Sequence, residues 1–305
     1  MRGYGIVLAF IALFVTLSVA SRPFLTWGNL FNLLDQNAGV GIVAVGSTIV
    51  FIAGGFDLSV GAVYVIAGVV AALAAPHVGA GAALTLGVLV GLASGIVNGL
   101  LTTVGRINAF VATLATATMI GGLAVAVTNG AYIEVSDPSF TLLGRGSLGR
   151  LTYPSLVWIV FTVICAVVLH RTRFGRYVFA SGGNQEAARL SGVRVGVVRA
   201  ACFALSGLSA GLAGILLVSR TATGQAAGAS FDLVVLAVAG IVIGGTSILG
   251  GEGAIWRTIL GVLLLAMIGN GFDLLNVDPN YQDVVRGAII AIAVGIDAWA
   301  RRSSN

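Results

Sequence analysis

Along most of this chain the polar residues are the exceptions. Long apolar runs recur, separated by short segments rich in Gly, Asn, Asp, Ser and Arg. A membrane span needs roughly 20 apolar residues, fewer where neighbouring helices bury part of it. Ten runs qualify: Tyr4–Ala20, Ala38–Gly54, Val60–Ala75, Ala82–Val104, Ala109–Thr128, Pro154–His170, Val198–Ser219, Leu233–Ile248, Ile255–Gly271 and Val284–Ala300. Several are short, and the two flanking Gly54–Gly61 could be one broken helix. The first run is read as a retained span rather than a signal peptide, because the chain after it is itself built of spans. The pattern predicts an all-α integral membrane protein of about ten transmembrane helices, forming one domain over residues 1–305.

Composition agrees. The chain is 58% hydrophobic and 9% charged, with 44 Gly and 5 Pro. The mean hydropathy of +1.04 would leave a soluble domain with no polar surface to show water. Abundant Gly fits helices that approach closely, since lipid gives them no hydrophobic reason to associate. All sixteen basic residues are Arg. A phosphate-binding loop of the Walker type needs its Lys, so this chain cannot be a conventional ATPase, and Schiff-base chemistry is excluded too. Cys165 and Cys202 sit in apolar runs and read as small core residues, not a disulfide. His77 and His170 are isolated, no spacing suggests a metal site, and no catalytic cluster is visible.

The arginines set a direction. With the N-terminus in the cytoplasm, the inner side holds Arg2, Arg106, Arg171, Arg173, Arg176, Arg189, Arg194, Arg199, Arg257, Arg301 and Arg302. The outer side holds Arg22, Arg145, Arg150, Arg220 and Arg286. An eleven-to-five split satisfies the positive-inside rule. It puts both termini in the cytoplasm, makes 171–199 the main cytoplasmic loop, and leaves Asn129–Tyr153 as the longest outer loop. Placed this way, the basic excess is a topology signal and implies no nucleic acid.

Inside the cytoplasmic loop, "GGNQEAARLSG" carries its own start and stop signals. Gly182 and Gly183 break what precedes. Asn184 is a good N-cap, Glu186 suits the first turn, and Arg189 suits the last. Gly192 is placed for a left-handed C-terminal cap. Gln185–Ser191 therefore reads as a two-turn helix, too short to hold in isolation. It either docks on a partner or is an ordinary helical turn in a charged loop.

Four stretches resemble one family. "TRFGRYVFASGGNQEAARLSGVRV" resembles the cytoplasmic loop of the sugar-type ABC importer permeases, those of ribose, xylose, arabinose and galactofuranose. Thr172, Gly175, Arg176, Ala180, Gly182, Asn184, Ala187, Ala188, Ser191, Gly192 and Val195 fill its pattern, with Val193 where Ile is usual. "GGFDLSVGAV" (Gly54–Val63), "NAFVATLATATMIGGLA" (Asn108–Ala124) and "GGTSILGGEGAI" (Gly244–Ile255) resemble further family segments in the same order, the last followed by "NGFDLLNV" (Asn270–Val277). Asn108 stands where the family often has Pro.

The resemblance implies the membrane-path subunit of an importer for a monosaccharide or related polyol in the bacterial cytoplasmic membrane. Its partners would be ABC ATPase subunits, a second permease chain, and a periplasmic or lipid-anchored sugar-binding protein. No cofactor would bind this chain; ATP and Mg would sit on the partner ATPase. The short helix would then be the coupling element, comprising Gly183, Asn184, Gln185, Glu186, Ala187, Ala188, Arg189, Leu190, Ser191 and Gly192. Small Ala187 and Ala188 would allow close approach, Leu190 would anchor, and Glu186 and Arg189 could pair across the interface.

Polar residues among the spans are the candidates for the substrate path. Asp57 lies between two apolar runs, where an acid is costly. It marks either an unwound segment near a gate or a tight turn, capping the next helix from the amide of Val60. "GGTSILGGEG" invites the same two readings, and the likeness of the two motifs hints at an internal repeat. Ser59 lies two residues after Asp57. Ser94 and Asn98 share a helix face, as do Thr113 and Thr116; Phe56, Phe110, Asn270 and Asp273 could add stacking and hydrogen bonds. Each of these residues could equally serve as polar glue between helices. The rival classes are a proton-coupled secondary transporter, which would want acids in mid-span, and a membrane enzyme, which would want a catalytic cluster.

Overall fold

The computed structural model describes residues 5–226, 230–278, 281–282, 284–285 and 287–288. The helices are α1 (Gly5–Ala20), α2 (Trp27–Ile52), α3 (Val60–Val78), α4 (Ala80–Thr103), α5 (Ala109–Thr128), α6 (Leu142–Arg145), α7 (Tyr153–Arg171), α8 (Arg173–Gly183), α9 (Gln185–Leu190), α10 (Val195–Thr221), α11 (Ser230–Ile243) and α12 (Ile255–Leu274). Seven of them, α2, α3, α4, α5, α7, α10 and α12, are long and apolar enough to cross a bilayer, while α1 and α11 are shorter apolar helices. The expected span Val284–Ala300 and both chain ends fall almost wholly outside the described residues.

Helix boundaries differ from the apolar runs because hydropathy marks where lipid begins, not where a helix begins. α2 starts at Trp27 instead of Ala38, capped by the Thr26 hydroxyl, which accepts from the Asn29 amide. Its polar first third is fully compatible with helix. α11 stops at Ile243, short of the expected Ile248, because Gly245 adopts a φ of +74°.

α2 and α10 form the centre: the most apolar window of each is 67% buried, against 28% for α4 and 22% for α5. The α4–α10 crossing explains the glycine content. A β-carbon on Gly91 would lie 2.6 Å from the Gly207 carbonyl oxygen, so only backbone fits between these helices. Such contacts replace the hydrophobic drive that lipid removes. Two short ladders close one end of the bundle: β1 (Ile133–Glu134) pairs antiparallel with β4 (Thr223–Gly224), and β2 (Ser147–Leu148) with β3 (Leu151–Thr152).

The arginines separate accordingly. At one end Arg220 pairs with Asp35 at 2.9 Å and Arg145 donates to the Arg220 carbonyl. At the other, Arg106, Arg189 and Arg199 line one cleft. These five arginines divide between the two ends of the bundle as the sequence reading grouped them.

Candidate functional site

Three glycine pairs meet where α2 ends. The amide of Gly55 donates to the Val50 carbonyl and Gly54 has φ +73°, the left-handed cap expected of Gly at a helix C-terminus. α11 ends in the same way, with Gly245 left-handed and the Thr246 amide donating to Ile241. The two motifs found alike in sequence are thus the same cap on two helices. The amide of Gly251 then donates to the Ile52 carbonyl at 2.9 Å, satisfying one of the orphan acceptors of α2. Gly182 presses on that same carbonyl, and a β-carbon there would also lie 2.7 Å from the Gly251 nitrogen. The loop 171–199 is therefore seated on both breaks.

The helix boundaries in this loop correct one expectation. Gly182 and Gly183 do not break a helix; they form the last turn of α8. The break is at Asn184, whose extended backbone and side chain, accepting from the Ala187 amide at 3.0 Å, start α9. Gly192 ends it with φ +83° and the Val193 amide donating to the Ala188 carbonyl. Glu186 and Arg189 pair with each other at 2.6 Å along the helix, both side chains remaining exposed. The hydrogen bond and charge of Arg189 hold the Glu186 carboxyl below its ordinary range. The two alanines differ: Ala188 is buried, whereas Ala187 is exposed. Leu190 is 77% exposed, a large apolar side chain on a charged loop.

Asp57, Ser59, Asn98 and Thr116 form one buried chain. The Ser59 amide and hydroxyl both donate to Asp57 Oδ1, at 2.9 and 2.6 Å. Asn98 donates to the Ser59 hydroxyl at 2.7 Å, and Thr116 donates to Asn98 Oδ1 at 2.7 Å. Thr113 joins by accepting from the Leu58 amide, its own proton going to the Ala109 carbonyl of its helix at 2.8 Å. This chain ties the 53–59 break to α4 and α5. Asp57 serves Ser59, not the amide of Val60, because Ser59 is itself the residue preceding α3. Asp57 Oδ2 and the Ser206 hydroxyl are both buried, Ser206 being the remaining polar neighbour of the carboxylate.

The other candidates fall elsewhere. Ser94 donates only to Val90 in its own helix. Phe56 packs on Phe51 at 4.9 Å and on Phe110 at 6.2 Å, but Phe110 is 51% exposed on the outside of the bundle. Asn270 and Asp273 lie in a cleft of about 140 Å³ with Asn32, Gln36 and Asn37 of α2. Asn270 and Asn29 exchange two amide hydrogen bonds, at 2.9 and 2.8 Å, and Asp273 accepts from Gln282. The α2 residues went unremarked in the sequence because they precede the apolar run. Their signal was the four-residue spacing of Asn32 and Gln36, one helix face, where Gln36 donates to Asn32. Cys165 and Cys202 are both buried and unbonded.

Comparison with known proteins agrees with this architecture. The family model described as "Branched-chain amino acid transport system / permease component" matches residues 29–294. The ribose import permease protein RbsC of Escherichia coli K12 is 39% identical over 296 residues, covering 95% of this chain and 92% of that protein. RbsC of Bacillus subtilis 168 is 40% identical, covering 97% and 93%. The L-arabinose ABC transporter permease protein AraH of Azospirillum brasilense is 38% identical, covering 97% and 88%. No solved structure matches the chain. A match along almost the whole length, on a bundle of apolar spans, identifies the chain as a multi-pass inner-membrane protein belonging to the branched-chain amino acid transport system / permease component family, alongside the sugar ABC permeases.

Proposed function

We propose that this chain is the membrane-path subunit of an ATP-driven importer of a monosaccharide, with a pentose the first choice because the relatives' names are ribose and arabinose permeases. A proton-coupled secondary transporter fits less well, since those relatives are parts of ABC systems. In this reading the spans number about ten, both termini and the loop 171–199 are cytoplasmic, and 1–305 is one permease domain. ATP and Mg are bound by a separate ATPase, a second permease chain completes the path, and a sugar-binding protein delivers substrate outside.

The observation that carries the reading is α9. It is a rigid, capped helix whose apolar Leu190 is offered to solvent, and its support is the junction of Gly182 with Ile52 and Gly251. A push on Leu190 and Ala187 is passed as a body motion to the ends of α2 and α11. Leu190→Glu with Ala187→Trp alters only exposed positions. Substrate-stimulated ATPase activity and uptake are expected to fall at least tenfold while the permease stays folded, which would correspond to about 1.4 kcal/mol or more of lost coupling. Normal uptake in that variant would end the coupling role.

The cleft of Asn32, Gln36, Asn37, Asn270 and Asp273 is the proposed outer entrance, with side-chain amides and a carboxylate suited to hydroxyl-rich solutes. Asp57, Ser59, Asn98, Thr113 and Thr116 act by holding the 53–59 break in place. Asp57→Asn keeps the Oδ1 acceptor. It is expected to cost no more than about 1 kcal/mol of stability and to leave uptake of ribose in proteoliposomes within threefold of the parent. A proton-dependent path through Asp57 would instead abolish uptake.

A further inference from the structure

A cleft of about 560 Å³ opens between α9 and the turn that joins α4 to α5. Arg106, Arg189 and Arg199 line it together with Gln185 and Asn108, and none of its lining residues is acidic. Arg189 is committed to Glu186. Arg106 and Arg199 have no carboxylate partner among the described residues. Arg199 Nη2 reaches the Gly54 carbonyl at 3.4 Å, and Arg199 Nε is buried with no partner. Asn108 offers them nothing, because its side-chain oxygen already accepts from the Phe110 amide at the start of α5.

Gln185 and Arg189 belong to α9, the helix that the proposed function seats on the ATPase. A protein docked on α9 comes against the mouth of the cleft and displaces water from both free guanidiniums. Withdrawing such charges from water is unfavourable unless the incoming surface brings an anion. The fork of donors on a guanidinium matches the two oxygens of a carboxylate. On a protein surface that anion is the side chain of Asp or Glu.

We propose that an Asp or Glu side chain of the partner ATPase inserts into this cleft and pairs with Arg106 and Arg199. The inference rests on the reading of this chain as an ATPase-coupled permease. Arg199 makes the pair mechanical as well as adhesive, since the same guanidinium donates to Gly54 at the end of α2. A carboxylate that moves with the ATPase pulls on the 53–59 break, whereas α9 delivers a push through Gly182. The motor is then attached at two points and can draw the end of α2 as well as press on it.

The test uses the full-length permease purified with its co-expressed ATPase. All basic residues of this chain are Arg, so the parent offers a carbodiimide no lysine to join to a carboxylate. Arg106→Lys keeps the charge and adds one reactive amine inside the cleft. Carbodiimide treatment is expected to link position 106 to the ATPase, and peptide mass spectrometry to locate the other end on an Asp or Glu. Arg150→Lys, beside Asp35 at the opposite end of the bundle, should give no adduct with the ATPase. The double variant Arg106→Glu, Arg199→Glu should lower the affinity for the ATPase at least roughly tenfold. Should it fail to fold, Arg106→Glu alone must still weaken retention several-fold. Three results overturn the proposal: no adduct at position 106 in a complex that retains the ATPase, an adduct only to a carboxylate of the permease itself or of a second permease copy, or undiminished retention in the Glu variants. A parent permease that retains no ATPase at all ends the coupled reading along with it, so the two failures are told apart.

Discussion

Gly182→Ala is expected to reduce sugar uptake to background and to lower the melting temperature of the purified permease by several degrees. The added β-carbon falls well inside contact distance of the Ile52 carbonyl oxygen and 2.7 Å from the Gly251 nitrogen. Both neighbours are backbone, so no flexible side chain can turn away. The Ile52 carbonyl also accepts the Gly251 amide, so a shift that relieves the clash breaks that hydrogen bond. Overpacking and an unmet buried acceptor together cost about 3 kcal/mol or more. Gly183 supplies the control. A β-carbon there has its nearest neighbour at 4.0 Å, the Cα of Gly251. Gly183→Ala should therefore keep both stability and uptake, and equal behaviour of the two variants would remove the junction from the mechanism.

Asn98→Ala is expected to destabilise the protein by about 2–4 kcal/mol, combining a cavity with lost hydrogen bonds to buried hydroxyls. Asn98 is fully buried and joins Ser59, at the start of α3, to Thr116 on α5. Truncation takes the donor from Ser59 and the acceptor from Thr116. Thr116→Val should cost about 1 kcal/mol, because it removes the single hydroxyl proton given to Asn98 Oδ1 and leaves the side-chain volume filled. Ser94→Ala should be silent, since that hydroxyl serves only its own helix. Thermal unfolding of the three variants in detergent gives the order directly; a Ser94 variant as damaged as the Asn98 variant would contradict the network.

How much was legible differs between parts of the molecule. The cap signals of α9 were read correctly at both ends, because Asn184 and Gly192 act through their own backbone and their nearest neighbours in the chain. The intrahelical pair of Glu186 with Arg189 came from the structure, since a pairing along the helix and a pairing across an interface use the same residue types. Ser94 and Asn98 looked equivalent, four residues apart on one face; burial and the position of Ser59 separated them.

The sequence by itself determined what depends on composition and short range. Apolar runs made the chain a membrane bundle, the absence of Lys excluded a conventional ATPase, and Gly and Asn punctuation ended its helices. Tertiary structure alone decided which of the many glycines are indispensable and which polar groups meet. Gly182 and Gly183 are neighbours of one residue type, and only one lies against a carbonyl donated by a segment far away in the chain. Asn32, Gln36 and Asn37 gained a shared cleft with Asn270 and Asp273 only when α2 was laid against α12. The physical reason is range: propensity, capping and hydropathy act within a few residues, whereas clashes, buried hydrogen bonds and clefts depend on segments that folding brings together from opposite ends of the chain.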